Sequence, residues 1–154
     1  MPVDLAVNPT AEESETYLGG GIVTGYYQFD PAGSGTILNG TACAFQTLTA
    51  PSIGPLLIRP TTTTQGFNIA GVAIGAPTGG YLPGSIVQIV VEGWALALFG
   101  ATTTAQHLAL SSTGTAGIFV DSASATLGQT MGVILEAVTI SSGTALVPIY
   151  VHKM

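Results

Sequence analysis

From Tyr17 onward the chain is written in short apolar runs separated by turn residues. The runs are rich in Val, Ile, Thr and aromatics, and Gly, Pro, Asn and Ser stand between them, which is the pattern of β-strands joined by tight connections. It predicts strands near 22–29, 41–48, 55–59, 67–74, 85–92, 95–99, 107–110, 117–120, 132–138 and 146–151. Breaks fall at Asp30-Pro31-Ala32-Gly33, Asn39-Gly40, Ala50-Pro51, Pro77-Thr78-Gly79-Gly80, Pro83-Gly84 and Ser141-Ser142-Gly143. No stretch sustains the i, i+3, i+4, i+7 spacing of an amphipathic helix; only 122–127 has room for a helical turn. The most apolar stretch, 86–99, is interrupted by Gln88, Glu92 and Gly93 and falls short of the roughly 20 residues a spanning helix needs. It reads as two buried strands or one long bent strand. Pro148 inside an apolar run predicts an edge strand or a bulge, and Thr61-Thr62-Thr63-Thr64 reads as an exposed loop. The expected fold class is all-β, a small β-barrel or β-sandwich.

Residues 1–16 follow a different grammar. Asp4, Glu12, Glu13 and Glu15 are half of all the acidic residues, and Pro2 and Pro9 interrupt regular structure. The segment is expected to be an extended N-terminal arm, with a helical turn beginning near Thr10, ahead of a single β domain over 17–154.

Composition changes the picture in one respect. Hydrophobic residues make up 47% of the chain and charged residues only 6%, against about 25% in an ordinary globular protein. Disorder is the wrong reading, because disordered chains combine low hydrophobicity with high charge. Natural sheets often protect exposed edges with Lys, yet the basic residues here are Arg59 and Lys153. The sheet therefore has to close on itself, be covered by other chains, or both. The formal net charge of −6 argues against nucleic acid, whose binding depends on neutralised phosphates, and against anionic membranes. Cys43 is the one cysteine, which excludes an intramolecular disulfide and fits folding in a reducing compartment. Met1-Pro2-Val3-Asp4 lacks the basic start and apolar core of a secretory leader.

Candidate chemistry is sparse. Ser, His107 and Asp121 can be grouped as a triad, but no Gly-x-Ser-x-Gly elbow accompanies them, and His107 reads as a strand residue with a local hydrogen bond. Paired-carboxylate chemistry would have to come from Asp30, Glu92, Asp121 and Glu136. Cys43, His107, Asp121 and His152 lack metal-ligand spacing, so no cofactor or metal is expected. Gly33-Ser34-Gly35-Thr36 resembles an anion nest without the Lys and helix of a P-loop. Tyr26, Tyr27 and Trp94 could stack on sugars or serve as interface anchors, though such aromatics are more often core or cross-strand pairs; a sugar-binding module would need all three on one exposed face. Neither repeats nor heptads are visible, which argues against a tail or fibre component. No enzyme activity is expected.

The region from Phe67 to Val151 resembles the small capsid cement, or head-decoration, proteins of tailed bacteriophages. The resemblance rests on Phe67-Asn68-Ile69-Ala70-Gly71-Val72-Ala73 before a Pro/Gly turn. It continues through Pro83-Gly84-Ser85-Ile86-Val87-Gln88-Ile89-Val90-Val91-Glu92-Gly93-Trp94-Ala95-Leu96, and through His107-Leu108-Ala109-Leu110 with the turn Thr113-Gly114-Thr115. It closes with Leu127-Gly128-Gln129-Thr130-Met131-Gly132-Val133-Ile134-Leu135-Glu136-Ala137-Val138. It implies a small β-barrel or sandwich, favours a homotrimer on the outer surface of the virion, and names the major capsid protein as partner, with synthesis in the host cytoplasm. On that reading the arm lies on the shell or a neighbouring subunit. Asp4, Glu12, Glu13 and Glu15 would face basic groups, and Val3, Leu5, Val7, Tyr17 and Leu18 would serve as anchors. The alternatives are a carbohydrate-binding module or another virion structural module.

Overall fold

The structure is a computed structural model, and it describes residues 15–17, 21–46, 57–61, 69–111, 115–124 and 130–152. The described residues contain no helix. They form β1 (Glu15–Tyr17), β2 (Val23–Phe29), β3 (Ala42–Phe45), β4 (Leu57–Pro60), β5 (Ile69–Ile74), β6 (Ile86–Phe99), β7 (Leu108–Ser111), β8 (Phe119–Ser122), β9 (Thr130–Ile134) and β10 (Ala145–Val151). All ten belong to one hydrogen-bonded sheet, so the all-β expectation is met. Of the two readings of 86–99, two buried strands or one long bent strand, the structure has the single strand, 14 residues long. The strand expected over 132–138 begins earlier and ends at Ile134, because 135–137 turn out to solvent. Of the threonine tract, Thr61 is buried and the rest lies outside the described residues.

The pairings return on themselves twice. In the first circuit β2 pairs antiparallel with β6, β6 with β5, β5 with β3 and β3 with β4, and β4 returns to β2 in parallel. In the second, β6 pairs antiparallel with β10, β10 with β9, β9 with β7 and β7 with β8, and β8 returns to β6 in parallel. The connectivity is the same in both circuits. The N-terminal half of β6 is the last strand of the first, and its C-terminal half is the first strand of the second.

The duplication holds residue by residue. Register places Phe29 in correspondence with Phe99, Cys43 with Ala109, Ile58 with Phe119, Gly71 with Gly132 and Ile89 with Ile149. The β3–β5 and β7–β9 ladders carry their irregularity at the same place, after Cys43 and after Ala109. The turn ahead of β3 donates from Gly40 N to Ala73 O (2.8 Å) and accepts at Thr41 O from Ala73 N (3.0 Å). The turn ahead of β7 repeats this with Gln106 N to Ile134 O (2.8 Å) and Ile134 N to His107 O (2.8 Å). Gly40 has φ 83°, and its counterpart Gln106, at 68°, is the non-glycine residue with positive φ among those described.

Alternation along β6 feeds both cores. Val87, Ile89 and Val91 pack with Phe29, Cys43 and Ile58 in the first circuit. Ala95, Ala97 and Phe99 pack with Phe119, Met131 and Ile149 in the second. Successive strand side chains point to opposite faces, so one odd-numbered series serves both. Each buried large side chain contributes about 1.5–3 kcal/mol. Pro148 was expected at an edge or bulge, yet β10 lies between β6 and β9. Its carbonyl accepts from Leu135 N at 2.9 Å, just past the last β9–β10 pair, Ile149 with Ile134. Its missing N–H thus falls where the ladder has ended.

At Gly71 and Gly132 the neighbouring strand leaves no room for a side chain. A Cβ at Gly71 would overlap the carbonyl of Val90, and one at Gly132 the carbonyl of Tyr150, which are again corresponding residues. Gly71→Ala and Gly132→Ala should each destabilise the protein by about 1–3 kcal/mol, as overpacking does. Urea unfolding of both variants measures this, with Val133→Ala as a milder comparison at a half-buried site.

Candidate functional site

The polar residues singled out by sequence do not gather into one site. Asp30 and Arg59 form an ion pair beside the parallel β2–β4 link. Arg59 Nε donates to Asp30 Oδ2 at 2.6 Å and Nη2 contacts the same oxygen. Asp30 Oδ1 accepts from Ala32 N at 2.8 Å, and Asp30 N donates to Ile58 O at 3.0 Å. In the second circuit Gly100 and Val120 stand at the positions of Asp30 and Arg59, and Phe99 stacks on Phe119, with centroids 5.6 Å apart, where Phe29 and Ile58 stand in the first. Parallel pairs are slightly weaker per residue than antiparallel ones, and the Asp30–Arg59 pair adds to the first circuit a side-chain tie that Gly100 and Val120 cannot make in the second. Gly33 N donates to Asp30 O. The donors Ala32 N and Gly33 N are thus occupied within the turn.

His107 and Asp121 do meet, with Nδ1 and Oδ1 2.6 Å apart, while Asp121 Oδ2 accepts from Thr104 N. The equivalent turn in the first circuit explains the pair. There Leu38 N, the counterpart of Thr104 N, donates to Thr41 Oγ1 at 3.0 Å, and Thr41 occupies the position of His107. In the second circuit Asp121 reaches across from β8 to take the acceptor role that the Thr41 hydroxyl fills in the first. The His–Asp pair is a turn-locking device by this comparison.

Of the other carboxylates, Glu92 is exposed with Oε1 3.8 Å from His152 Nδ1, and Glu136 is exposed. Among the described residues no three His, Cys, Asp or Glu side chains gather to hold a metal. Cys43 is fully buried, which pushes its thiol pKa up and keeps it un-ionised, so it is no nucleophile. Of the proposed arm contacts, Val3, Asp4, Leu5, Val7, Glu12, Glu13 and Leu18 lie outside the described residues. Glu15 and Tyr17 belong to β1, which pairs with the start of β2.

The surface feature that stands out is apolar. On the outward side of β6 and β10, Trp94 pairs with Tyr150, Leu96 with Pro148 and Leu98 with Leu146. Trp94 is 47% exposed and Tyr150 43%. Beside them a groove of about 290 Å³ runs between the halves, lined by Ile22, Gly40, Ile74, Val90, Leu96 and Leu146 among others. Tyr26 also faces outward, whereas Tyr27 turns inward and sets its ring edge-on against Phe45, 5.1 Å between centroids. The three aromatics therefore do not share one face. Sequence reasoning singled out Trp94 but missed the rest of the patch. Its signal was the even-numbered apolar series Trp94, Leu96, Leu98 matched by Leu146, Pro148, Tyr150. No family model, curated protein or solved structure matches the chain.

Burial raises the pKa of Asp30, but the Ala32 N–H and the Arg59 guanidinium outweigh it and hold the carboxyl below its usual 3.8. A depressed folded-state pKa contributes stability above the unfolded value, which is lost as pH falls through the folded one. The protein should therefore lose stability below about pH 4, and Asp30→Asn should flatten that acid limb. The same substitution should cost about 1–3 kcal/mol at neutral pH, as loss of a charged hydrogen bond does. Urea midpoints from pH 2 to 7 for both proteins measure the two effects.

Proposed function

We propose that the protein is a structural assembly component without a chemical step, and specifically a cement or decoration protein on the outer surface of a tailed-phage capsid. The observation that carries this reading is the exposed apolar face of β6 and β10 in a chain with only 6% charged residues. Large exposed apolar patches mark interaction sites. The His107–Asp121 pair stands where a Thr41 hydroxyl secures the same turn in the other half.

Each circuit is read here as a small β-barrel, and the chain as two such barrels in series behind an arm. The partner is the major capsid protein, and the protein acts as a homo-oligomer, a trimer being favoured, made in the host cytoplasm. A shell presents many identical sites, so modest contacts per copy are multiplied by avidity. The acidic arm residues Glu12, Glu13 and Glu15 would meet basic groups of the shell, with Val3, Leu5 and Val7 as apolar anchors. Ordering an arm costs about 1–2 kcal/mol per residue in backbone entropy, so apolar contacts have to accompany the charges. Neither nucleic acid nor membrane is a partner on this reading.

The test is co-sedimentation with empty shells. The full chain should pellet with shells in saturable fashion. A variant lacking residues 1–14, which keeps β1, should stay in the supernatant with an unchanged melting temperature. Failure of the full chain to bind shells contradicts the capsid reading, and unchanged binding by the shortened chain contradicts the role of the arm. Glycan-array binding abolished by Trp94→Ala would favour a carbohydrate-binding module instead.

A further inference from the structure

The duplication allows each strand edge in one half to be compared with its counterpart in the other. On the side of β2 away from β6, β1 pairs with Val23, Thr24 and Gly25, and Thr16 lies opposite Thr24. Counting from the equivalence of Phe29 and Phe99, Thr24 and Tyr26 correspond to Trp94 and Leu96 of β6. The place that β1 fills in the first half is therefore, in the second, the edge of β6 at Trp94 and Leu96.

That edge is open. Leu98 N donates to Gly40 O at 2.8 Å, so the even-numbered N–H and C=O groups of this half of β6 point away from β10. Pro148, opposite Leu96, has no N–H, and its carbonyl accepts from Leu135 N on its other side. Among the described residues, nothing pairs with the outward backbone groups of Trp94 and Leu96. The groove of about 290 Å³ lies beside them, with Ile22, Gly40 and Ile74 of the first half as its other wall. An apolar cavity of about 150 Å³ accepts a benzene-sized group, so the groove has room for about two apolar side chains.

An open strand edge is a template for another strand, and a groove beside it selects a segment with apolar residues at alternate positions. Residues 1–14 precede β1 and carry such a series in Val3, Leu5 and Val7. Their root is close to the groove. Glu15 pairs with Gly25, and the backbone of Gly21 and Ile22 passes over Gly93, next to Trp94. From Gly25 back to Ile22 is about 10 Å along the strand, whereas residues 8–14 extend to about 24 Å.

We infer that residues 3–7 pair with the Trp94/Leu96 edge of β6 in the same chain and seat Leu5 and a flanking valine in the groove. The second half thereby gains its counterpart of β1. A tethered segment acts at an effective concentration in the millimolar range, so a short strand suffices. An added strand of this size opens ahead of global unfolding, and its readout is local. The contact does not rest on the capsid reading, and it leaves Glu12 and Glu13 for a partner.

Trp94 is the one tryptophan in the chain, so its emission reports on the groove directly. Emission wavelength and acrylamide quenching are compared, without shells, for the full chain, for Leu5→Asp and for a variant beginning at Pro9. Both variants should emit further to the red and quench more readily than the full chain, with unchanged circular dichroism. A peptide of residues 1–8 should reverse the change in the shortened variant, and the same residues in scrambled order should not. Independently of Trp94, Leu5→Cys with Leu96→Cys should form a disulfide within one chain on mild oxidation, since Cys43 is buried. Equal quenching in all three proteins, or a disulfide that joins two chains, would overturn the inference. Quenching of the full chain that falls as concentration rises would assign the groove to a second copy and overturn it too. Shell pelleting with no change at Trp94 would remove this contact and leave the capsid reading standing.

Discussion

The rest of the structure depends on the double use of β6. One strand of 14 residues is the last strand of one circuit and the first of the next, so neither half has a complete set of partners without it. Gly93 sits at its midpoint, with φ 103°, where a Cβ would overlap the Gly21 carbonyl. The absence of a side chain there lets the segment leading into β2 cross the strand between the halves. The circuits also answer the problem posed by the composition. An open sheet needs charge at its edges, whereas strands whose pairings return on themselves present few unpaired edges. A chain with two basic residues is consistent with that arrangement.

Comparing the halves separates structural side chains from free ones without recourse to relatives. Beside the parallel link, Asp30 and Arg59 form an ion pair in one half where Gly100 and Val120 stand in the other. The same turn is locked by Thr41 in one and by His107 with Asp121 in the other. When two unlike chemical solutions occupy one structural position, the demand they share is mechanical. The faces that differ most in burial between the halves, such as Trp94 and Tyr150 against Thr24 and Val90, are apolar in the second half.

Much of the fold was legible from local pattern. The strands near 22–29, 67–74 and 146–151 were read almost at their true bounds, because Gly, Pro and Asn punctuate them sharply. Strand 86–99 was ambiguous because Glu92-Gly93 looks like a break, and only pairing with β2 and β10 shows that it is not one. The duplication escaped notice because most corresponding positions differ, as Tyr27 and Ala97 or Cys43 and Ala109 do. Outer and inner positions tolerate any residue of suitable volume and polarity. Its trace is Gly71-Val72 followed by Val87-x-Ile89-x-Val91, repeated as Gly132-Val133 followed by Val147-x-Ile149-x-Val151. The glycines persist because a Cβ cannot fit, and the Val-x-Ile-x-Val series because it fills both cores. Of the exposed apolar patch, Trp94 was visible, but its cross-strand neighbour Tyr150 comes from β10, which no local pattern connects to it.

The central claim is that the shared strand makes the two halves a single cooperative unit. Native-state hydrogen exchange tests it most directly. Amides of residues 86–92 and 93–99 should be among the slowest in the protein and exchange with one common free energy, equal to that of global unfolding. Phe119→Ala, placed in the second core, should lower both sets equally. Protection of 93–99 that falls while that of 86–92 stays unchanged would mean that the halves open independently and would contradict the account.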